Sequence, residues 1–197
     1  FESPFSDFES NSTQLFKVLD NIRLHAPLCK VVHFSSAAVY GNPDTLPIDE
    51  NIKPNPLSVY GFHKLISENI ANEFYKIYGV KSICLRPFSV YGPGQKKLLF
   101  WDIYKKHMNE ESIKLFGTGN ETRDFIYIED LILALELCMN NAEFNAQSIN
   151  IACGNEISIR EAATIFCKAL ETDKALIFSN NVKKGDPLRW KADISKL

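Results

Sequence analysis

Tyr60 and Lys64 are four residues apart, a spacing that puts both side chains on one face of a helix, one turn from each other. A phenol is a poor base at neutral pH because its free pKa is about 10. Bringing it to about 7 takes roughly 4 kcal/mol. An ammonium about 4 Å away, at an effective dielectric of about 20, supplies roughly that amount. The pair can therefore make a tyrosinate-like general base, although an ordinary surface Tyr/Lys pair has the same spacing. Ser36 stands 24 residues before Tyr60, where a β-rich run gives way to small residues. There its hydroxyl could bond the same substrate hydroxyl that Tyr60 deprotonates, and Ala37 and Ala38 leave room for a sugar ring. A serine-rich strand end also serves turns and caps without any chemistry.

The elements that must hold these side chains follow from hydrophobic period. Residues 11–24 carry Leu15, Phe16, Val18, Leu19 and Ile22 at helical spacing, and Lys30–Ser35 reads as a buried strand. Four prolines between 42 and 57 exclude a long helix there. From Ser58 to Tyr78 the pattern is a long helix, with Leu65, Ile66, Ile70, Phe74 and Ile77 on one side and Gly79 as its C-cap. Val80–Leu85 is a second strand, stopped by Pro87. Further helices are expected over 98–107, 128–139 and 158–170, and short strands over 113–116, 125–128, 148–152 and 175–178. Strands separated by helices mean an α/β fold with a mostly parallel sheet, whose ligands bind at the strands' carboxyl ends. The part after about residue 154 is less regular.

Composition removes other classes. The 197 residues carry 22 basic and 24 acidic side chains, net charge −2, which gives no support to a nucleic-acid or anionic-membrane partner. No apolar run reaches the length of a bilayer-spanning helix, and the first ten residues lack the basic and apolar regions of a signal peptide. Cys29, Cys84, Cys138, Cys153 and Cys167 form no CxxC pair. Reduced thiols in a cytoplasmic protein are the expectation, with no metal site.

The segments Ser35-Ser36-Ala37-Ala38-Val39-Tyr40-Gly41, Tyr60-Gly61-Phe62-His63-Lys64 and Leu85-Arg86-Pro87-Phe88-Ser89-Val90-Tyr91-Gly92-Pro93-Gly94-Gln95 follow one another in order. Gly117-Thr118-Gly119, Arg123-Asp124-Phe125-Ile126-Tyr127, Asp130, Asn150-Ile151, Gly185-Asp186 and Ala192-Asp193 continue the series. This ordered set resembles the extended short-chain dehydrogenase/reductase family, in its NAD-dependent epimerase/dehydratase branch. The resemblance implies the back part of a Rossmann-like sheet flanked by helices, over 1–95 and 120–153. It also implies a smaller α+β substrate-binding portion, over 96–119 and 154–197.

By the same resemblance Ser36, Tyr60 and Lys64 are catalytic. Ser35, Tyr60, Lys64, Pro87 and Phe88 line NAD, with NADP not excluded. Ser36, Ser89, Arg123, Lys183, Asp186 and Trp190 contact a nucleotide sugar. Arg123 suits a diphosphate because a guanidinium binds phosphate oxygens bidentately; a salt bridge to Asp124 is the other reading of that residue. A homodimer through helices 11–24 and 58–78 is implied too.

Departures narrow the chemistry. Ser89 stands where the family usually has Asn, and Lys183 where many relatives have Arg. Ala37 and Ala38 replace the acidic residues of the dehydratases and decarboxylases, which argues for hydride transfer at a carbinol: an NAD-dependent nucleotide-sugar epimerase, expected to act at C4 of a UDP-hexose, or a 4-ketoreductase. The glycine-rich turn for the cofactor pyrophosphate is not found, so the chain reads as the back part of a larger protein with its last helix clipped. A fragment that binds sugar nucleotide without catalysis is the alternative from another class.

Overall fold

The computed structural model describes residues 3–181 and 185–197. Strand β2 (Lys81–Pro87) is buried without a break from Ser82 to Arg86, the pattern of a strand covered on both faces. β1 (Lys30–Phe34) and β6 (Asn145–Ile151) flank it in parallel, in the order β1-β2-β6. On one face Val80 and Cys84 pack against Leu15 and Leu19 of α2 (Gln14–His25) and Ala71 and Phe74 of α3 (Val59–Tyr78). On the other, Ile83, Leu85, Ile149 and Ile151 pack against Leu131, Ala134 and Cys138 of α5 (Ile128–Asn141). Each buried Val, Leu, Ile or Phe among these contributes about 1.5–3 kcal/mol. The expected α/β sandwich of a parallel sheet between helices is what forms.

α4 (Leu98–Asn109), α6 (Ile159–Ala169) and the parallel pair β4 (Ile113–Leu115) and β8 (Leu176–Phe178) pack around Ile103, Ile113, Leu115, Ala163 and Cys167. A further sheet has the order β3 (Ser89–Tyr91), β5 (Thr122–Tyr127), β7 (Glu156–Ser158), with β5 and β7 antiparallel.

Several expectations are corrected. The first helical stretch starts at Pro4, not at residue 11. α1 (Pro4–Phe8) is capped by the Ser3 hydroxyl and runs through a π-turn at Glu9–Thr13 into α2. β1 is half-buried, with Phe34 41% exposed, because it is the outer strand of its sheet among the described residues. On α3 the buried stripe is Gly61, Ser67, Glu68, Ala71 and Phe74, while Ile66 and Ile77 lie outside. Gly61, Ser67 and Ala71 let the helix approach closely, while Phe74 fills the core and Glu68 is buried against Arg86. Phe74 is buried within the chain, whereas Phe62 is exposed. β3 and β7, three residues each, were not expected.

All five cysteines are free thiols. Among the described residues no helix is long and apolar enough to cross a membrane, and no cluster of ligating side chains could hold a metal.

Candidate active site

The site grows from the carboxyl end of β1. Ser35 carries the ladder one residue further, its N–H donating to the Leu85 carbonyl at 2.7 Å. Ser36, in extended backbone, caps a 3-10 turn at Ala37–Val39 by accepting from the Ala38 N–H at 3.1 Å. The turn ends at Gly41, whose φ is +64° and where a Cβ would stand 2.1 Å from the Asn55 carbonyl oxygen. Only glycine fits there.

α3 begins beside this turn. Ser58 is its N-cap, its hydroxyl accepting from the Gly61 N–H at 3.1 Å. A Cβ on Gly61 would lie 2.5 Å from the Ala38 carbonyl oxygen, so the first helical turn is pressed against the turn that Ser36 caps. That close approach brings Tyr60 to Ser36, and the two hydroxyls share a hydrogen bond. Gly61→Ala should therefore cost about 1–3 kcal/mol, as overpacking does. Thermal unfolding of this variant reads the loss, and a midpoint equal to wild type would mean the contact is slack.

Lys64 follows one turn later on the same face. Its Nζ donates to the Phe34 carbonyl at 2.7 Å and lies 5.6 Å from the centre of the Tyr60 ring. The expected depression of the Tyr60 pKa by this ammonium is not what the structure gives. Burial raises the phenol, the Ser36 hydrogen bond pulls it down, and Asp7 pushes it up. Lys64 is not among these causes; its charge is spent on the backbone at the end of β1. Burial in turn lowers the Lys64 pKa, against the pull of Asp7. Tyr60 is thus a protonated phenol at neutral pH, poised by position and not by charge.

The other expected residues are distributed unevenly. The Ser35 hydroxyl donates to Glu68 Oε1 at 2.5 Å inside the core, because a buried carboxylate demands donors. Ala37 is fully buried with Val39, Tyr40, Ile48 and Phe88, so only half-buried Ala38 is left to give a ligand room. Pro87 closes β2 at the carboxyl edge. The Phe88 ring is a core piece, edge-on to Trp190 at 5.7 Å, so this segment can meet a cofactor chiefly through Pro87 and its backbone. Ser89 opens β3, half-buried opposite Phe125 of β5.

Arg123 does not pair with Asp124. Asp124 is fully buried and accepts from the N–H groups of Cys153 and Ala192, at 2.9 and 3.1 Å. The Arg123 guanidinium instead lies 5.6 Å from the centre of the Trp190 ring, with one N–H on the Thr122 carbonyl. Burial lowers its pKa while Asp186 and Glu121 raise it. Trp190 is buried, donating from Nε1 to the Gly41 carbonyl at 3.0 Å, so it walls the site as part of the core. Asp186 is exposed; Lys183 lies outside the described residues. A cavity of about 660 Å³ opens between α4 and α6, lined by Tyr91, Phe100, Phe125 and Phe166, and none of the expected site residues lines it.

What sequence reading missed is the support beneath. Arg86 donates to both oxygens of Glu68, at 2.8 and 2.6 Å, and to the Tyr40 hydroxyl at 2.7 Å. Tyr40 donates onward to Asn150 Oδ1 at 2.7 Å. Glu68 lies two turns beyond Tyr60 on α3, so one bonded chain ties α3 to β2 and β6. The signal was present: Glu68 continues the four-residue step of Tyr60 and Lys64.

Residues 1–152 match the model of the NAD dependent epimerase/dehydratase family. A Methanocaldococcus jannaschii protein bearing a provisional UDP-glucose 4-epimerase name is 32% identical over 98% of the chain, which covers 67% of that protein. The UDP-glucuronic acid 4-epimerase of Bacillus cereus, solved with UDP-glucuronic acid and NAD, matches 94% of the chain at 30% identity and TM-score 0.86. The UDP-N-acetylglucosamine 4-epimerase of Methanobrevibacter ruminantium M1 matches 95% at 27% identity and TM-score 0.87. The chain spans 59% and 61% of those two structures.

Proposed function

Because the chain belongs to the NAD dependent epimerase/dehydratase family, we propose that the whole protein epimerises a nucleotide sugar, at C4 of a UDP-hexose. The observation that carries this reading is the hydrogen-bonded Ser36/Tyr60 pair at the carboxyl edge of the parallel sheet, with Lys64 one turn on. Tyr60, in its ionised form after losing its own proton to solvent, takes the proton of the sugar hydroxyl, and Ser36 bonds the same oxygen as the charge develops. The half-buried phenol and ammonium of Tyr60 and Lys64 fit the ribose side of a nicotinamide nucleotide, offering donors beside the apolar Pro87. NAD held by these residues would supply the reversible hydride acceptance that inversion at a carbinol carbon needs. Arg123, desolvated against Trp190 and lacking a salt bridge among the described residues, is suited to a diphosphate, with Asp186 near it. Ala37 and Ala38 supply no carboxyl for the extra proton transfers of a dehydratase. Residues 1–95 and 120–153 would form the cofactor-binding part, and 96–119 and 154–197 the sugar-nucleotide part.

The test is proton NMR of the whole protein with UDP-glucose, UDP-glucuronic acid and UDP-N-acetylglucosamine in turn. Interconversion of one of these with its C4 epimer, without net use of reduced cofactor, is expected. Net oxidation of NADH or NADPH would instead identify a ketoreductase, and inertness toward all three sugars would reject the proposal.

A further inference from the structure

Three consecutive residues at the end of β1 are each tied to successive turns of one helix. The Phe34 carbonyl accepts from Lys64 Nζ at 2.7 Å, the Ser35 hydroxyl donates to Glu68 Oε1 at 2.5 Å, and Ser36 shares its bond with Tyr60. Tyr60, Lys64 and Glu68 follow at four-residue steps along α3, so the strand end is stitched to one stripe of the helix. We propose that Ser35 and Glu68 are positioning residues, whose buried bond sets Ser36 opposite Tyr60. This rests on the reading of Tyr60 as the base, and it assigns Ser35 a task other than touching cofactor.

The middle stitch is the one built to be rigid. Ser35 and Glu68 are 2% and 7% exposed, and a hydroxyl on a carboxylate is among the shorter and stronger hydrogen bonds. Glu68 cannot swing toward Ser35 alone, because Arg86 grips both its oxygens. The Ser35 N–H is fixed as well, on Leu85. With both ends held, the residue after Ser35 has little freedom. Without the stitch, Ser36 keeps its bond to the Ala38 N–H, but its distance from α3 is no longer set from the neighbouring residue.

A role limited to satisfying a buried carboxylate makes a different forecast, and Ser148 separates the two. Its hydroxyl also donates to Glu68, on Oε2 at 3.3 Å, but from β6, away from Ser36. The experiment is NMR titration of the whole protein labelled at the tyrosine ring carbon bearing oxygen, with Tyr60 assigned through Tyr60→Phe. In Ser35→Ala the Tyr60 midpoint should move up, since the Ser36 bond that holds it down is loosened, while Ser148→Ala leaves it in place. An unmoved midpoint in Ser35→Ala, or an equal movement in Ser148→Ala, overturns the proposal. Should Ser35→Ala not fold, Ser35→Cys carries the same readout, its thiol being a weak donor in the same place. In the whole protein, Ser35→Ala should lower kcat about ten- to a hundredfold with KM nearly unchanged. Because the titration needs no turnover, its failure is distinct from a whole protein that epimerises nothing.

Discussion

Tyr60→Phe should reduce kcat of the whole protein by about 10²- to 10⁴-fold, the worth of a positioned proton acceptor, with the fold intact. The substitution removes one oxygen from a half-buried ring at the start of α3 and leaves the ring itself. Ser36 keeps its bond to the Ala38 N–H, so no buried group is orphaned and stability should move by less than about 1 kcal/mol. Substrate affinity should hold within a few-fold, because the lost interaction is one made as the proton leaves. The pH profile follows from the direction of the phenol's shift. Burial first, and Asp7 after it, raise the Tyr60 pKa above the usual value for tyrosine, against the opposing Ser36 bond. The competent form is therefore scarcer at neutral pH than in a free phenol, falling tenfold for each unit of pKa. kcat/KM should climb with pH on the alkaline side until the phenol ionises, and cationic charge brought to the hydroxyl should shift that climb downward. Steady-state rates of wild type and variant across pH check this; a variant keeping more than a tenth of wild-type turnover would remove Tyr60 from the chemistry.

The placement of the proposed catalytic side chains together was readable because it depends on local geometry. A four-residue step on a helix, a serine at a strand end and a glycine after the tyrosine are short-range facts, and α3 forms within a residue of where its caps Ser58 and Gly79 place it. Their electrostatics were not readable. Whether Lys64 faces the phenol or a carbonyl depends on where β1 ends, and the carbonyl of Phe34 took it. The same limit explains Ser35, whose neighbour Glu68 lies 33 residues away in sequence. It explains Arg123 too: adjacent to Asp124 in the chain, it is separated from it because neighbouring side chains on β5 point to opposite faces. Asp124 turns inward to bind the backbone of Cys153 and Ala192. The four-residue step that marked Tyr60 and Lys64 ran on to Glu68, but a buried carboxylate needs its partner in view before it has meaning.

That partner gives the largest expected loss of stability. Arg86 is 4% exposed and Glu68 7%. Arg86→Ala would leave the carboxylate buried with only the hydroxyls of Ser35 and Ser148 as donors, and would strip the Tyr40 hydroxyl of the N–H it accepts. Breaking a buried pair from one side costs about 3–5 kcal/mol. At about 2–4 °C per kcal/mol for a chain of this size, the melting temperature should drop by roughly 6–20 °C. The loss measures an abandoned charge more than the worth of the pair, since two desolvated ions repay only part of what their burial costs. A double variant, Arg86→Met with Glu68→Leu, should therefore recover much of what Arg86→Ala loses while still lacking the ion pair. Its site should not recover in step: Ser35 would have no carboxylate to hold it, and Ser36 would lose its register against Tyr60. Chemical unfolding of the three proteins, followed by Tyr60 titration in the double variant, separates the two effects. If Arg86→Ala unfolds within about 1 kcal/mol of wild type, water must reach Glu68, and the chain from Glu68 to Asn150 is not what locks the catalytic helix to the sheet.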